Sequence, residues 1–398
     1  MFASTRIAGA IRWRRSCRRL MSNVAVVLES RAVLEISGVD AKALLQGLMT
    51  NDVSLLDDES KRLPCISTAF LSPKGRVLGD ALVTRSPRHE AKRKPLYKLR
   101  SKVKIKDATA LYDVVVSGVQ DPWQEAASGA SEDPSIPPAA AEEARFADPR
   151  CAALGVRMIR PKGEADLAGV AWPHGDAVVP ESRYEALRMV NGVGEGSELL
   201  DSIPLESNLD LLGSISFTKG CYVGQELTAR TQFKGFVRKR VLPVLFPAGG
   251  AQTSPSPILD ASYIIADDGN DQGVLLYTWD SSAGTVAPPE AGSKIVDRAA
   301  QDGKLGAVIA VSPEYNVGLA LLRLGKIMSP TSGERDVVEE GSNSMGPAGR
   351  EPGSSAHPAV DCCIVNGAGG EEDPRRCLPL TPPWWPVDLD PATGKVPS

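Results

Sequence analysis

From Val237 to about Leu324 the chain consists mostly of short β-rich runs that glycine and proline interrupt. Several short strands at close spacing are typical of a small β-barrel or β-sandwich. The sequence therefore predicts a C-terminal β-barrel domain over residues 236–325. The runs that carry this prediction are residues 241–246, 274–278, 307–311 and 317–324.

Residues 23–235 mix predicted helices with predicted strands, so the expected fold class is α+β. Leu44, Leu45 and Leu48 stand at helical spacing and predict a short helix over residues 41–49. Residues 72–75 form a turn signal with proline early and glycine late, which predicts a β-hairpin. The other predicted elements are strands at 24–28 and 32–36, hairpin strands at 66–71 and 76–84, and a helix at 183–190.

The composition is that of an ordinary globular protein. The chain has 398 residues, of which 42% are hydrophobic and 24% are charged, and its net charge is −4. A chain of this length is expected to form two or three domains. So small a net charge does not favour nucleic acid as a partner. No apolar run approaches the roughly 18 residues that a membrane-spanning helix needs, so we expect no membrane span.

The first 28 residues carry six arginines and no acidic residue before Glu29. Arginine together with small residues and without acids is typical of a mitochondrial transit peptide, which we place at residues 1–22. We therefore expect the mature protein in the mitochondrial matrix. The alternative is a basic start to the chain with no targeting role.

Three further segments have a biased composition. Residues 85–106 hold ten Lys or Arg and one acid, Glu90, which indicates either a solvated face or a binding strip for an anion. Residues 121–149 are rich in Ala, Pro, Glu and Ser and predict a surface insertion. Pro, Gly and Ser supply 27 of the last 73 residues, so residues 326–398 predict a disordered low-complexity tail.

The segment KGCYVGQELTAR, which begins at Lys219, is the part of the chain best suited to chemistry. Cys221 stands near glycines that permit tight backbone conformations and the close approach of a ligand. Lys219 and Arg230 favour the thiolate, which is the nucleophile and the metal ligand, and Gln225 and Glu226 add polar groups. The alternative is a small thiol packed in the core. The seven cysteines form no Cys-x-x-Cys pair, which disfavours a zinc site.

Two neighbouring stretches, PLESNLD at 204–210 and SFTKGCYVGQE at 216–226, resemble the signature of the YgfZ-type folate-binding iron–sulfur cluster assembly factors, including their mitochondrial branch. This family is related to the aminomethyltransferase of the glycine cleavage system. Shorter matches support the resemblance, which extends over roughly residues 24–325. They are LQGLMTNDV at 45–53, SPKGRVLGD at 72–80, GAVI at 306–309 and GLALLR at 318–323.

The resemblance implies an aminomethyltransferase-like cloverleaf fold, in which α/β domains and a C-terminal β-barrel surround a folate channel. It implies a role in maturing mitochondrial [4Fe–4S] proteins together with A-type scaffold proteins, as a monomer or in a transient hetero-complex. The critical cysteine of the family corresponds to Cys221. The implied cofactors are tetrahydrofolate and, transiently, an iron–sulfur cluster with Cys221 as its metal ligand.

Polar residues in the matching segments are candidates for the site. A pterin ring needs donors and acceptors along one edge, and the glutamate tail of folate needs basic groups. A loop Asn or Asp is more often a turn or capping residue than a ligand, so that alternative stays open. The candidate catalytic residues are Cys221, Lys219 and Glu226, and the candidate folate-binding residues are Asn51, Asp52, Arg76, Asp80, Glu206, Tyr222, Gln225 and Arg230.

Two other functions stay open at this point. The first is a folate-dependent aminomethyl or one-carbon transferase. It is disfavoured because aminomethyltransferases carry a pair of aspartates where this chain has Gly79 and Asp80. The second is a module that only bridges scaffold proteins, which would tolerate loss of Cys221. A further departure from the family is the basic stretch between Thr84 and Leu96, where an additional strand and helix are usual.

Overall fold

The computed structural model describes residues 24–58, 63–85, 102–117, 144–162, 177–246, 259–260, 288–297, 303–328, 362–365, 376–382 and 384–396. The predicted transit peptide and the predicted strand at 274–278 lie outside these residues. Most of the basic stretch and most of the predicted insertion also lie outside them.

Strands outnumber helices in the described chain. The strands are β1 (Val24–Val27), β2 (Leu34–Ser37), β3 (Cys65–Leu71), β4 (Val77–Thr84), β5 (Lys104–Asp107), β6 (Tyr112–Ser117), β7 (Ala144–Ala147), β8 (Val156–Pro161), β9 (Ala177–Val179), β10 (Lys239–Leu245), β11 (Leu259–Asp260), β12 (Lys294–Asp297), β13 (Lys304–Val311), β14 (Val317–Arg323), β15 (Cys362–Val365) and β16 (Leu378–Thr381). The α-helices are α1 (Ala41–Leu48), α2 (Glu181–Val190), α3 (Gln225–Lys234) and α4 (Leu324–Ile327). Short 3-10 turns cover Val53–Leu56, Ala152–Leu154 and Gly196–Leu199.

A five-stranded sheet with the order β7-β8-β6-β1-β9 forms the amino-terminal layer. Strands β1 and β9 are parallel, whereas the other neighbours are antiparallel. Helix α2 packs between this sheet and the C-terminal sheet. Leu187 on α2, Val26 on β1 and Leu319 on β14 are fully buried in the same apolar cluster, so α2 fixes the two sheets relative to each other.

The predicted hairpin is confirmed as β3 and β4, which pair in the register Ala69 opposite Asp80. Its turn is made by residues 72–75. Gly75 takes φ +77, a conformation that a residue with a Cβ rarely adopts. A Cβ on Gly75 would also lie 2.7 Å from the Cβ of Leu227 on α3. The turn therefore packs directly against the helix that follows Cys221.

The C-terminal end of the molecule is a curled seven-stranded sheet with the order β11-β16-β10-β14-β13-β12-β15. Neighbouring strands are antiparallel except β11 and β16, which are parallel. Fully buried apolar residues on β10, β12 and β14 give this sheet its own core: Leu242, Ile295 and Leu322. This sheet is the counterpart of the predicted β-barrel.

The prediction of a disordered tail is wrong for residues 362–365, 376–382 and 384–396. Strand β15 pairs with β12 and β16 pairs with β10, while Trp384 donates from Nε1 to the backbone oxygen of Asn191 at 2.7 Å. An average composition over 73 residues hides these two four-residue strands, in which Ile364 and Leu380 are fully buried. Residues 326–328 are also described, at the end of α4, and the rest of the tail lies outside the described residues.

The predicted surface insertion is also wrong at its end, because residues 144–147 form β7. This strand pairs with β8, and its Phe146 is 5% exposed. Strand β5 occupies the end of the basic stretch and pairs with β2. All four residues of β5 are exposed, so the lysines of this strand lie on a solvated face.

Candidate functional site

Cys221 is an exposed residue of the loop that leads into α3. Gly224 ends this loop with φ +78, and a Cβ at Gly224 would lie 2.3 Å from the backbone oxygen of Ser72. A side chain cannot be placed so close to backbone, so this position requires glycine. The loop consequently rests on the turn of the β3–β4 hairpin, with Cys221 three residues before the contact.

Hydrogen bonds hold the Cys221 loop against α1 and α3. The N–H of Val223 donates to the backbone oxygen of Gly47 at 3.0 Å. The N–H of Tyr222 donates to Oε1 of Gln225 at 2.8 Å. Because Gln225 is the first residue of α3, its side chain joins the loop to the start of the helix. Tyr222 is half-buried, and this burial raises the pKa of its phenol.

The Lys219 ammonium is bound by the end of α1. Its Nζ donates to the backbone oxygens of Gln46 and Met49 at 2.7 Å and of Asn51 at 2.9 Å. The last carbonyls of a helix lack partners within the helix, and a cation there also meets the negative end of the helix dipole. Burial lowers the pKa of Lys219, although the charge of Asp52 opposes the shift. The side chain predicted to be catalytic therefore holds the loop in place.

Asn51 and Asp52 use their side chains within the chain. Nδ2 of Asn51 donates to the backbone oxygens of Ser67 at 2.7 Å and Gly213 at 2.9 Å. Oδ1 of Asp52 accepts from the N–H of Ser54 at 2.9 Å and caps the 3-10 turn that follows. Burial opposes ionisation of Asp52, but the hydrogen bonds from Ser54 and Gln46 and the charge of Lys219 lower its pKa overall. Both residues are thus structural supports of the loop after α1.

Three other candidates meet the segment 196–210. Oδ1 of Asp80 accepts from the N–H of Gly196 at 2.8 Å, and a guanidinium nitrogen of Arg76 donates to the backbone oxygen of Asp201 at 3.0 Å. Glu206 is half-buried, and its carboxylate has no hydrogen bond or ion pair with the described residues. These three side chains retain hydrogen-bonding capacity for a ligand, unlike Asn51.

Glu226 and Arg230 lie one turn apart on α3 and are both exposed. Neither side chain forms a hydrogen bond or ion pair within the described part of the chain. The structure therefore gathers Lys219, Cys221 and Glu226 on one loop and the start of one helix. Among these groups, the Cys221 thiol is the exposed nucleophile.

A buried ionic cluster was missed by the sequence predictions. Glu195 accepts at Oε1 from the hydroxyl of Tyr184 at 2.7 Å and from Arg157 at 2.9 Å, and it also pairs with Arg150 and Arg31. Burial opposes its ionisation, but the surrounding arginines hold the pKa of Glu195 well below its usual range. Tyr184, Arg157, Arg150 and Arg31 are 11 to 164 residues away from Glu195 along the chain, so no local pattern could reveal the cluster.

The Glu195 cluster joins four parts of the fold. Asp148 pairs with Arg150 at 2.7 Å and with Arg157 at 3.0 Å, and Arg188 of α2 pairs with Glu198 at 2.6 Å. Through Gly196 and Asp80 the cluster reaches the β3–β4 hairpin. Charges buried at this density are stable only when each has partners, so the cluster fixes the hairpin against the five-stranded sheet.

The other described cysteines differ from Cys221 in their surroundings. Burial raises the pKa of Cys65 and of Cys151 to about 12. Cys362, Cys363 and Cys377 are buried in or beside the C-terminal sheet. Within the described stretches, no three His, Cys, Asp or Glu side chains come together as a metal site. No described helix combines the length and apolar character needed to cross a membrane.

Curated relatives match most of the chain. The mitochondrial iron–sulfur cluster assembly factor IBA57 homolog of Mycosarcoma maydis is 31% identical over 383 residues, which cover 90% of this chain and 84% of the relative. The chain belongs to the IBA57 family. The IBA57 homolog of Aspergillus oryzae is 32% identical over 382 residues, which cover 82% of this chain and 78% of the relative. No family model matches the chain.

The fold is also found in a solved structure. The glycine cleavage system aminomethyltransferase T from Bartonella henselae matches with a TM-score of 0.51 and 11% identity, covering 93% of this chain and 88% of that chain. The predicted membership of a family related to this aminomethyltransferase, and the predicted fold, are confirmed. The roles assigned to individual residues of this IBA57 family member stay predictions.

Proposed function

We propose that this chain is a mitochondrial matrix assembly factor that supports the maturation of [4Fe–4S] proteins through Cys221. Its IBA57 relatives are named as mitochondrial iron–sulfur cluster assembly factors, which supports the general role. The observation that carries the residue assignment is the exposed thiol of Cys221 on a loop fixed by Lys219 and Gly224. A fixed and accessible thiol suits a transient ligand better than a packed one.

Iron or an iron–sulfur cluster is the cargo in this proposal. A thiolate is a soft ligand and is the usual protein ligand of such clusters. A cluster usually takes four ligands, and the described residues bring no third metal-binding side chain to Cys221. We propose that the remaining ligands come from an A-type scaffold protein or from a small thiol such as glutathione.

The residues around Cys221 hold and expose the thiol. Lys219 and Gln225 fix the backbone on both sides of Cys221, and Gly224 sets the loop on the hairpin turn. Glu226 is exposed in the first turn of α3, one turn before Arg230. A carboxylate there can accept the proton that Cys221 releases when it binds metal, which is the role we assign to Glu226.

Tetrahydrofolate is the ligand that the sequence resemblance adds to this proposal. Arg76, Asp80 and Glu206 fit it, because each keeps unused hydrogen-bonding capacity and all three meet the segment 196–210. A carboxylate can accept from a pterin edge, and Arg76 can bind an anionic glutamate tail. Asn51 fits less well because both its donors are used within the chain. When bound, the folate would supply a one-carbon or electron-donating group.

The proposal is tested in cells depleted of their own IBA57-type factor. The full chain is supplied as wild type, as Cys221→Ala, or as Thr218→Ala, an exposed control three residues away. Aconitase activity reports [4Fe–4S] maturation, and a [2Fe–2S] ferredoxin serves as the control protein. We expect wild type and Thr218→Ala to restore aconitase and Cys221→Ala to fail, with the ferredoxin unchanged.

Two other results would contradict the proposal. Full rescue by Cys221→Ala would favour a module that only bridges scaffold proteins. Normal aconitase together with loss of glycine cleavage in the depleted cells would favour the aminomethyltransferase alternative. A separate titration of the purified chain with tetrahydrofolate tests the ligand, and unchanged affinity in Asp80→Asn and Glu206→Gln would remove those two residues from the folate site.

A further inference from the structure

The end of α3 and the extended segment that follows it carry two exposed aromatic rings, Phe233 and Phe236. Phe233 is 69% exposed and Phe236 is 57% exposed, and they are the phenylalanines among the exposed large hydrophobic residues of the described chain. Single exposed apolar residues are common, but neighbouring exposed rings with an apolar companion mark interaction sites. Val223, two residues after Cys221, is a further exposed apolar residue of the loop that leads into α3, at 39% exposure.

These rings are continuous with the Cys221 loop. The ring of Phe233 meets the ring of Phe217 edge to face, with centroids 6.2 Å apart. Phe217 precedes Cys221 by four residues in the same loop. A binding partner that covers Phe233 therefore also lies close to the segment that carries the Cys221 thiol. A ring contact of this kind also holds Phe233 in one orientation, which lowers the entropy lost on binding.

Basic side chains border the rings. Arg230 and Lys234 are exposed on α3, at helical spacing from Phe233 or next to it. Phe236 and Arg238 are exposed and alternate with the buried Val237, so they face the same side of an extended segment. Glu226 is the sole acid in the sequence of α3, and it lies in the first turn. The end of the helix is therefore both aromatic and positively charged.

We propose that Phe233, Lys234, Phe236 and Arg238, the α3 face, dock an acidic protein partner whose own thiolates complete the ligand set of the cargo at Cys221. Docking of this kind rests on the proposed function, because it identifies where the partner sits. Aromatic residues and arginine are enriched in protein interfaces, and complementary charge steers the encounter. The net charge of −4 for the whole chain works against a nucleic acid or an anionic membrane as the occupant.

The test measures binding of the full chain to a purified A-type scaffold protein loaded with a [2Fe–2S] cluster. One variant removes the rings, Phe233→Ser with Phe236→Ser, and a second reverses the charge, Lys234→Glu with Arg238→Glu. Matched controls lie elsewhere on the surface: Leu111→Ser, at 47% exposure, and Lys104→Glu with Lys106→Glu on the exposed strand β5. Because the charge-reversal residues are exposed, that variant keeps the fold if the aromatic variant does not.

We expect each α3-face variant to weaken binding at least about tenfold, since truncated interface anchors have effects of this size. Both controls should stay within about twofold of wild type. The wild-type affinity should fall with added salt, and the charge-reversed variant should lose most of this salt dependence. Unchanged affinity in both α3-face variants would overturn the docking surface. A second outcome would also overturn it. In that outcome the α3-face variants keep their affinity for the scaffold protein but lose wild-type binding to a 20-nucleotide RNA or to cardiolipin vesicles.

The outcome for the docking surface is separable from that for the proposed function. In one outcome Cys221→Ala fails to restore aconitase, while both α3-face variants bind the scaffold protein and rescue like wild type. The proposed function is then supported, and the α3 face is not the docking surface. In the other outcome the α3-face variants no longer bind the scaffold protein, while Cys221→Ala restores aconitase fully. The docking surface is then supported, and the chemistry assigned to Cys221 is wrong.

Discussion

The Nζ atom of Lys219 lies 2.7 Å from the backbone oxygen of Met49, and this contact ties the Cys221 loop to the end of α1. The two residues are 170 positions apart in sequence. The same ammonium also reaches the backbone oxygens of Gln46 and Asn51. A single side chain thus replaces the missing partners of a helix end and anchors the reactive loop two residues before the thiol.

Lys219→Met tests this anchoring, because it keeps the length of the side chain and removes its three donors. We expect the free energy of unfolding to fall by about 1–3 kcal/mol, the usual effect of leaving buried acceptors without donors. Hydrogen exchange should become faster in residues 216–224 and in the last turn of α1. Lys42→Met, on the exposed part of α1, is the matched control and should change neither region. Slow exchange at 216–224 in Lys219→Met would rule out the anchoring role.

Glu195→Gln tests the buried cluster and its dependence on pH. The folded pKa of Glu195 is depressed, so its carboxylate stabilises the fold fully above its ordinary pKa of 4.5. Below that pH the unfolded chain takes up the proton first, and stability is lost as the pH falls toward the folded pKa. Glu195→Gln should therefore lose about 3 kcal/mol at pH 7 and show a shallower loss between pH 7 and pH 3.5 than wild type.

Urea unfolding at a series of pH values measures the effect of Glu195→Gln. Glu290→Gln is the control, because Glu290 is exposed and has no side-chain partner among the described residues. It should follow the wild-type curve at every pH. Equal pH dependence in Glu195→Gln and wild type would show that this carboxylate is not held ionised by its arginines.

Thiol labelling should single out Cys221. Cys65 and Cys151 have pKa values raised to about 12 by burial, so about one in ten thousand of these thiols is ionised at pH 8. Because the thiolate is the reacting form, N-ethylmaleimide at pH 8 should modify Cys221 within minutes and spare Cys65 and the half-buried Cys151 until urea unfolds the chain. Peptide mass spectrometry of a full chain carrying Cys17→Ser measures the extent of labelling at each cysteine. Modification of Cys65 as early as Cys221 would contradict the burial of the Cys65 thiol.

The local part of this structure was predictable, and the distant part was not. The β3–β4 hairpin followed from four turn residues, 72–75, whose conformational preferences act over a single turn. Helix α1 followed from leucines at helical spacing. The Lys219 anchor and the Glu195 cluster join residues far apart in sequence, so a linear pattern contains no signal for them.

The candidate site shows the same limit. Cys221 was singled out by its glycine neighbours and by family resemblance, and the structure exposes it. Asn51 and Asp52 were chosen as ligand candidates because they are polar loop residues, yet their side chains form hydrogen bonds within the chain itself. Residue type alone cannot separate a ligand-binding amide from a structural one, since both need partners and only the folded chain shows which partners are near.

The turn at Gly394 supports the carboxyl-terminal end of α3. The backbone oxygen of Gly394 accepts from Arg240 at 2.8 Å, and the neighbouring Lys395 donates to the backbone oxygens of Gln232 and Gly235 at the end of α3. A Cβ on Gly394 would lie 1.9 Å from the backbone oxygen of Val237. Such a contact is impossible without moving backbone, so Gly394→Ala must push this turn away from α3.

Gly213→Ala is the matched control, because Gly213 has the same φ of +66 and an added Cβ there would meet nothing within 4 Å. Both variants pay for a left-handed alanine, about 1 kcal/mol, so their difference isolates the clash. We expect Gly394→Ala to unfold at a urea concentration clearly below that of Gly213→Ala, with faster hydrogen exchange at residues 231–237. Equal stability of the two variants would mean that the turn does not press on Val237. In that case the C-terminal segment could not be what keeps Phe233 and Phe236 in place beside the Cys221 loop.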